Sequence, residues 1–247
     1  METGLIPRGV ARTGLVGSIV VDEPVSWQNK WFITLDVDWA HDDVLEVAID
    51  MVEDAGIHAT WLITNESRWL DRLTSNPLFE LGVHPNFNRL LAGTNRTVDT
   101  FQKVIRDLLE IAPNSRSVRS HSLTYSSRLS DCFVEFGLTH DLNSYIPRHS
   151  VANLSPWKLP NGQIRVPTIW EDDVEFPITC DQGWAKWEEG VRVLNFHPIH
   201  LYLNTEDANR YEFTRRIHRR PKQLALHRND SVGTRSVFES LVSFLQS

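Results

Sequence analysis

The distribution of apolar and polar positions divides the chain into strands and helices that take turns. Residues 31–37 are an apolar run of strand length and read as a buried strand. Over 42–55, Val44, Leu45, Ala48, Met51, Val52 and Ala55 recur at helical spacing, and Gly56 stops the helix. Residues 57–63 predict a second strand, 66–73 a short helix and 79–83 a third strand. An amphipathic helix over 97–111 puts Val98, Phe101, Val104, Ile105, Leu108 and Leu109 on one stripe. Residues 117–122 read as a strand entering a loop, and 127–136 as a helix ended by Gly137 and followed by the strand end LTHDLN. Residues 163–170 and 191–196 are the last strands, and 236–246 the closing helix. Residues 1–26 read as a poorly ordered leader with one strand-like piece, GSIVV. LIPRG within it has the look of an engineered protease-cleavage linker, with a natural leader as the alternative.

Strand and helix alternate with no break in composition, which predicts one parallel α/β domain over 27–247. About seven such units suit a barrel better than an open sheet, and either architecture gathers ligands at the C-terminal ends of its strands. The length of 247 residues and the 41% hydrophobic and 23% charged content are those of a soluble globular chain. A net charge of −7 argues against wholesale nucleic-acid binding. No run approaches the roughly 18 to 20 apolar residues of a membrane helix, and no secretory signal is evident. Cys132 and Cys180 are far apart and in no metal-type spacing, which reads as reduced thiols in the cytoplasm. Arg210, Arg215, Arg216, Arg219, Arg220 and Lys222 crowd residues 209–222, as a solvated face or a loop meeting an anionic substrate.

Candidate chemistry lies where strands end. The first strand supplies Asp36 and Asp38, the third His84, the fourth Arg119 and His121, and the fifth His140 and Asp141. The sixth leads into Trp170, Glu171, Asp172 and Asp173, and the seventh into His197 and His200. Two carboxylates this close repel, and burial raises the cost of ionising either. A divalent cation, zinc ahead of other ions, offsets that repulsion and accepts carboxylate and imidazole ligands while keeping a position for water. One Asp then binds metal while its neighbour takes a proton from the water; on a strand, residues i and i+2 point to the same side. Asp42 is read as the N-cap of the first helix, and Glu171, Asp172 and Asp173 as bordering the pocket mouth. His41, His58, His149, His218 and His227 are read as surface or structural groups. Nine Trp residues are many for this length, and a flat ring can serve core packing or meet a sugar.

TLDVDWA, HPNFN, RSHS, DLN, RVPTIWEDD and FHPIH, in this order, resemble the polysaccharide deacetylase superfamily. More closely they resemble its WbmS-like branch, associated with bacterial surface-polysaccharide loci, over about residues 31–246. AGIHATWLIT, 55–64, is similar to the second strand of that superfamily. The resemblance implies a distorted (β/α) barrel of about seven parallel strands with a metal at the strand C-termini. It implies Asp36 as general base, Arg119 as its ion-pair partner, Asp38 and His84 as metal ligands and His197 as general acid. Asn88 stands where the family has a second His ligand, so the third ligand is Asn88 or His121. His200 has no clear family counterpart and is grouped with Trp39, Tyr125 and Trp170 as substrate contacts. The implied substrate is an N- or O-acetylated sugar or polysaccharide precursor. The alternatives are another metal hydrolase, such as a two-metal phosphoesterase, and a barrel that binds polysaccharide without turnover.

Overall fold

The computed structural model describes residues 7–93, 100–147, 150, 153–179, 182–187 and 190–247. The chain opens with helix α1 (Arg8–Arg12), then runs β1 (Trp31–Asp36), α2 (Asp42–Ala55), β2 (Ala59–Ile63), α3 (Leu70–Ser75) and β3 (Phe79–Val83). Next come α4 (Asn88–Leu91), α5 (Phe101–Ile111), β4 (Ser117–Val118), α6 (Ser127–Glu135) and β5 (His140–Asp141). Strands β6 (Trp157–Lys158), β7 (Ile164–Arg165), β8 (Trp170–Glu171) and β9 (Arg192–Phe196) follow. Helices α7 (Pro198–Leu203), α8 (Ala208–Thr214), α9 (Pro221–Leu224) and α10 (Thr234–Gln246) complete the fold.

The nine strands form one sheet in the order β6-β7-β5-β4-β3-β2-β1-β9-β8, parallel throughout except for the β6–β7 pair. It curls into the expected barrel-like α/β architecture as a half-barrel. The stretch read as one strand over 163–170 is two: β7 pairs with β5 and β8 with β9, so the segment spans the opening between the two ends of the curled sheet. Pro167 lies at the break, where a residue without an N–H cannot extend a ladder.

β1, β2 and β9 are buried along their whole length, the signature of strands covered on both faces. Their alternation separates two cores. Trp31, Ile33 and Leu35 pack under the helices with Leu45, Ala48, Ile49 and Val52 of α2, whereas Phe32 packs on the other face with Val166, Val191 and Val193. Thr34 and Asp36 share the Phe32 face by the two-residue period. Gly56, at φ 58, caps α2 in the left-handed conformation that glycine enters freely. The observed N-cap of α2 is His41, not Asp42: the His41 ring accepts the Asp43 N–H at 3.1 Å. Asp42 instead takes the Ser67 hydroxyl at 2.6 Å.

Residues 7–26 are not a loose leader, and GSIVV is not a strand. Val16–Ser18 is a single 3₁₀ turn, and Val16, Ile19 and Trp27 join Phe32 in the second core. The Val16 and Gly17 N–H groups are accepted by Thr60 and Glu80, and His140 Nε2 meets the Ile19 carbonyl at 2.9 Å. The segment closes the end of the half-barrel opposite the strand C-termini. Arg12 stacks on Phe244 and donates to its carbonyl, which ties α1 to α10. The predicted helix over 97–111 is described from Phe101, with Thr100 as its N-cap; Val98, His149 and Cys180 lie outside the described residues. Cys132 is buried and free, and burial pushes its thiol pKa up.

Candidate functional site

The strand ends converge. Asp36 closes β1, His84 follows β3, Arg119 follows β4, Asp172 follows β8 and His197 follows β9. After β1 the chain turns sharply, with Asp38 at φ 46 and Trp39 at φ 54. Such backbone costs non-glycine residues roughly 1 to 3 kcal/mol each and persists only where its surroundings enforce it. Here the Val37 N–H is accepted by Leu62, the Trp39 N–H by Thr64 Oγ1 and the Ala40 N–H by Val37. Asp38 therefore reaches the site through a left-handed turn, not through the pleat expected from its i+2 spacing.

Three donor atoms crowd one point. Asp38 Oδ1 lies 3.1 Å from His84 Nε2 and 3.1 Å from His121 Nδ1, and the two ring nitrogens are 3.3 Å apart. Hydrogen bonding alone accounts poorly for this: if both rings donate to Asp38, their protons face each other. Ligands about 2.0 to 2.1 Å from a shared tetrahedral ion lie roughly 3.3 Å apart, so the set fits one divalent cation. His84 Nδ1 is buried without a hydrogen-bond partner, 3.6 Å from Asp36 Oδ1. That is the side on which a ligating imidazole keeps its proton toward a carboxylate. Asn88, the other candidate ligand, is exposed at the start of α4, whereas His121 is the third member of the close group.

Beside this group Asp36 is buried and held at both oxygens. Arg119 Nη1 donates to Oδ1 at 2.8 Å and Asn195 Nδ2 to Oδ2 at 3.0 Å. Arg119 is itself fixed by Thr34 at 3.1 Å, Asn195 Oδ1 at 2.6 Å and Thr168 at 2.7 Å. Burial pushes the Asp36 carboxyl pKa up, but Arg119, with His84 and His197, overcomes it and holds the group below its usual value. Asp38 is likewise held low against burial by hydrogen bonds from His121 and His84. The Asp38 carboxylate, as acceptor of the His121 bond, raises the pKa of that ring in turn.

His197 faces both carboxylates, with Nε2 3.9 Å from Asp36 and 3.8 Å from Asp38. Its other nitrogen is 2.6 Å from Asp172 Oδ1, and its N–H donates to Asp172 Oδ2 at 2.9 Å. Burial opposes charge on this ring, yet Asp173 and Asp172 raise it well above an ordinary histidine. Asp172 therefore does not border the pocket mouth; it is completely buried behind His197. Glu171 is also buried, which pushes its carboxyl up to about 7 against the pull of Arg119. Asp172, His197 and His200 form a second close group. The 2.6 Å contact in it is too short for two ligands of one ion and reads as a hydrogen bond.

The substrate contacts divide. Trp39 meets His121 edge-on and, with Thr64, His84, Asn86, Arg89 and Leu90, lines a cleft of about 660 Å³. Tyr125 is 44% exposed and its ring stacks with the Arg165 guanidinium. Trp170 is only 2% exposed and packs on Phe196, which leaves no face for a sugar. His200 is buried behind His197 with Nδ1 on Thr205, so it too is removed from direct contact. His140 and Asp141 belong to the interior: Asp141 pairs with Arg165 at 2.7 Å and accepts from Asn143. Of the missed groups Thr34, Thr168 and Asn195, two carried a signal, since polar residues interrupt apolar strands at Thr34–Asp36 and Asn195–His197 with a period of two.

Comparison with known proteins gives the family. Residues 33–215 match the family model described as WbmS-like polysaccharide deacetylase. The crystal structure of WbmS from Bordetella bronchiseptica, described as a candidate polysaccharide deacetylase involved in O-antigen biosynthesis, is 41% identical and superposes with a TM-score of 0.89, covering 94% of this chain and 98% of that one. A candidate polysaccharide deacetylase from Mycobacterium smegmatis shares 16% identity with a TM-score of 0.48, over 68% of this chain and 76% of its own. No curated protein matches. Among the described residues no helix is long and apolar enough to cross a membrane. By its family match and its likeness to WbmS, the chain belongs to the WbmS-like polysaccharide deacetylase family.

Proposed function

We propose that this chain is a metal-dependent deacetylase that hydrolyses an acetyl group, an N-acetyl, from a sugar in surface-polysaccharide metabolism, acting in the cytoplasm. One observation carries the reading: three metal-type donor atoms within 3.3 Å of one another, beside an ion-paired Asp36 and an Asp172-oriented His197. The substrate class is supported by family membership and by the O-antigen role described for the 41% identical WbmS.

Asp38, His84 and His121 would hold the ion, and two imidazoles with one carboxylate suit zinc. When bound, the ion supplies Lewis-acid polarisation of the acetyl carbonyl and a water acidified to a pKa of about 7. Asp36 accepts the proton as water attacks; Arg119 and Asn195 keep both its oxygens ionised and aimed. His197 then donates a proton to the departing nitrogen, because an amine leaves only when protonated. Asp172 stabilises the imidazolium and fixes the ring so that Nε2 faces the site. The products are acetate and a free amino sugar. Trp39 presents its ring at the cleft wall, a surface suited to a sugar face.

Asp36→Asn tests the assignment. Acetate release from an N-acetylated amino sugar should fall by roughly 10² to 10⁴-fold while elemental analysis still finds the ion. Undiminished turnover removes the base role. Failure of the zinc-loaded parent to release acetate from any such sugar removes the deacetylase reading.

A further inference from the structure

The basic stretch near the C-terminus is resolved by the fold into two kinds of cation. Arg210 is paired with Glu206, and Arg215 with Glu212 at 3.3 Å. Arg228 donates to the Tyr202 carbonyl and stacks on its ring. Arg216, Arg219, Arg220 and Lys222 are all exposed and have no carboxylate partner among the described residues. Residues 213–228 contain six Lys or Arg and no Asp or Glu, in a chain whose net charge is −7. That segregation has a local cause to be sought, since overall charge runs the other way.

The same excursion exposes large apolar groups. Its inner side is satisfied: Thr214 and Leu224 are buried, and Ile217 packs with Val44, Tyr202 and Leu203. Phe213 is nevertheless 75% exposed and Leu226 83% exposed. Phe213 contacts the ring of His227, the residue after Leu226 in the chain. A surface of exposed aromatic and aliphatic side chains set among unpaired Arg and Lys has the composition of an interfacial membrane anchor. A soluble polyanion would use the cations but gains nothing from Phe213 and Leu226. The excursion also adjoins the site: Tyr211 of α8 contacts the His200 ring, which lies against His197.

We infer that the α8–α9 excursion docks the protein on an anionic lipid bilayer surface, with Phe213 and Leu226 entering the headgroup region and Arg216, Arg219, Arg220 and Lys222 meeting lipid phosphates. The inference does not depend on what the site hydrolyses. Docking would bring the catalytic cleft to substrates displayed at that surface.

The test is sedimentation of the full chain with vesicles of phosphatidylcholine alone or with about one-third phosphatidylglycerol. Binding is expected to the anionic vesicles only, weakening at least about ten-fold between about 0.1 M and about 0.5 M salt as screening shortens. Each cation near such a surface is worth about a five-fold change in partitioning, so Arg216→Glu with Arg219→Glu should weaken binding by more than about 25-fold. Phe213→Ser with Leu226→Ser should weaken it about ten-fold or more at constant charge. Equal binding to both vesicle types, no binding at any salt concentration, or indifference to the charge reversals overturns the inference. Binding to heparin of a strength that Phe213→Ser with Leu226→Ser does not change, with none to vesicles, assigns the surface to a soluble polyanion and overturns it as well. The salt titration uses the unmodified chain and stands even if a variant misfolds.

Discussion

Replacing Asp172 by Asn removes one charge from behind His197 while keeping nearly the same shape. The carboxylate makes two contacts there, at 2.6 Å to the ring Nδ1 and at 2.9 Å to the His197 N–H. An amide can accept from only one of them, so one bond is lost or reversed. Charge-assisted bonds of this kind contribute about 1.5 to 3 kcal/mol, which sets the expected loss of stability. The rate effect is larger. With the negative charge gone, the imidazolium loses part of the stabilisation that offsets its burial, and an amide N–H turned toward Nδ1 favours the wrong tautomer. General acid catalysis contributes roughly 10² to 10⁴-fold, so kcat/KM on an N-acetylated amino sugar should fall about 10² to 10³-fold, or about 3 to 4 kcal/mol of transition-state stabilisation. KM should change little, because Asp172 is completely buried. The assay pairs that substrate with 4-nitrophenyl acetate, whose phenoxide leaves without protonation. Amide hydrolysis should collapse while ester hydrolysis stays within about ten-fold of the parent. Acetate release from the sugar within about three-fold of the parent, in a variant that melts normally and retains its ion, would refute the acid assignment. An equal loss on both substrates would make Asp172 a structural group.

Three further outcomes follow from other parts of the molecule. His121→Ala should weaken zinc affinity by more than the roughly 10 to 100-fold typical of outer-shell partners, whereas Asn88→Ala, at an exposed position, should leave a competitive chelator titration unchanged. His140 is buried with Nε2 donating to the Ile19 carbonyl and Thr139 against Nδ1, and burial lowers its pKa. The unfolded chain then takes up a proton before the folded one does, so this contribution is intact above pH about 6.5 and is lost as pH falls below it. Melting temperature should decline from pH 7.5 to pH 5.5, less steeply in His140→Asn, and identical slopes would contradict the assignment. At Gly82 in β3 a Cβ would lie 2.5 Å from Leu62 and 2.7 Å from the Ser117 carbonyl. Gly82→Ala should cost about 1 to 3 kcal/mol in urea unfolding, and an unchanged midpoint would argue that the strands can part there.

The legible parts of the fold share one property: they repeat. The six buried residues of β1, the apolar stripe of α2 and the Gly56 stop each announce themselves within a dozen residues, and each was found in place. Short pieces were legible as segments but not in their bounds: the strands read at 117–122, in LTHDLN and over 163–170 contain β4, β5, β7 and the first residue of β8, and β6 was not read at all. β4, β5, β7 and β8 have two residues each, too few for a period to show. Residues 13–27 lack any regular pattern, yet Val16, Ile19 and Trp27 close one end of the half-barrel. Their burial depends on partners such as Phe32 and Val193 from distant strands, which no local window contains.

The site divides along the same line. Asp36, Asp38, His84, Arg119, His121 and His197 stand out in the chain because polar, titratable residues at the ends of apolar strands are costly unless chemistry uses them. Their types and order carry the resemblance to the family. Which of them touch was set by tertiary structure: His121 in place of Asn88 beside Asp38, Asp172 behind His197, and Trp170 in the core while Trp39 faces the cleft. Residue identity and spacing are local properties of the chain. Ligand geometry and burial depend on how β1, β3, β4, β8 and β9 come together, and sequence distance does not encode those angles or separations.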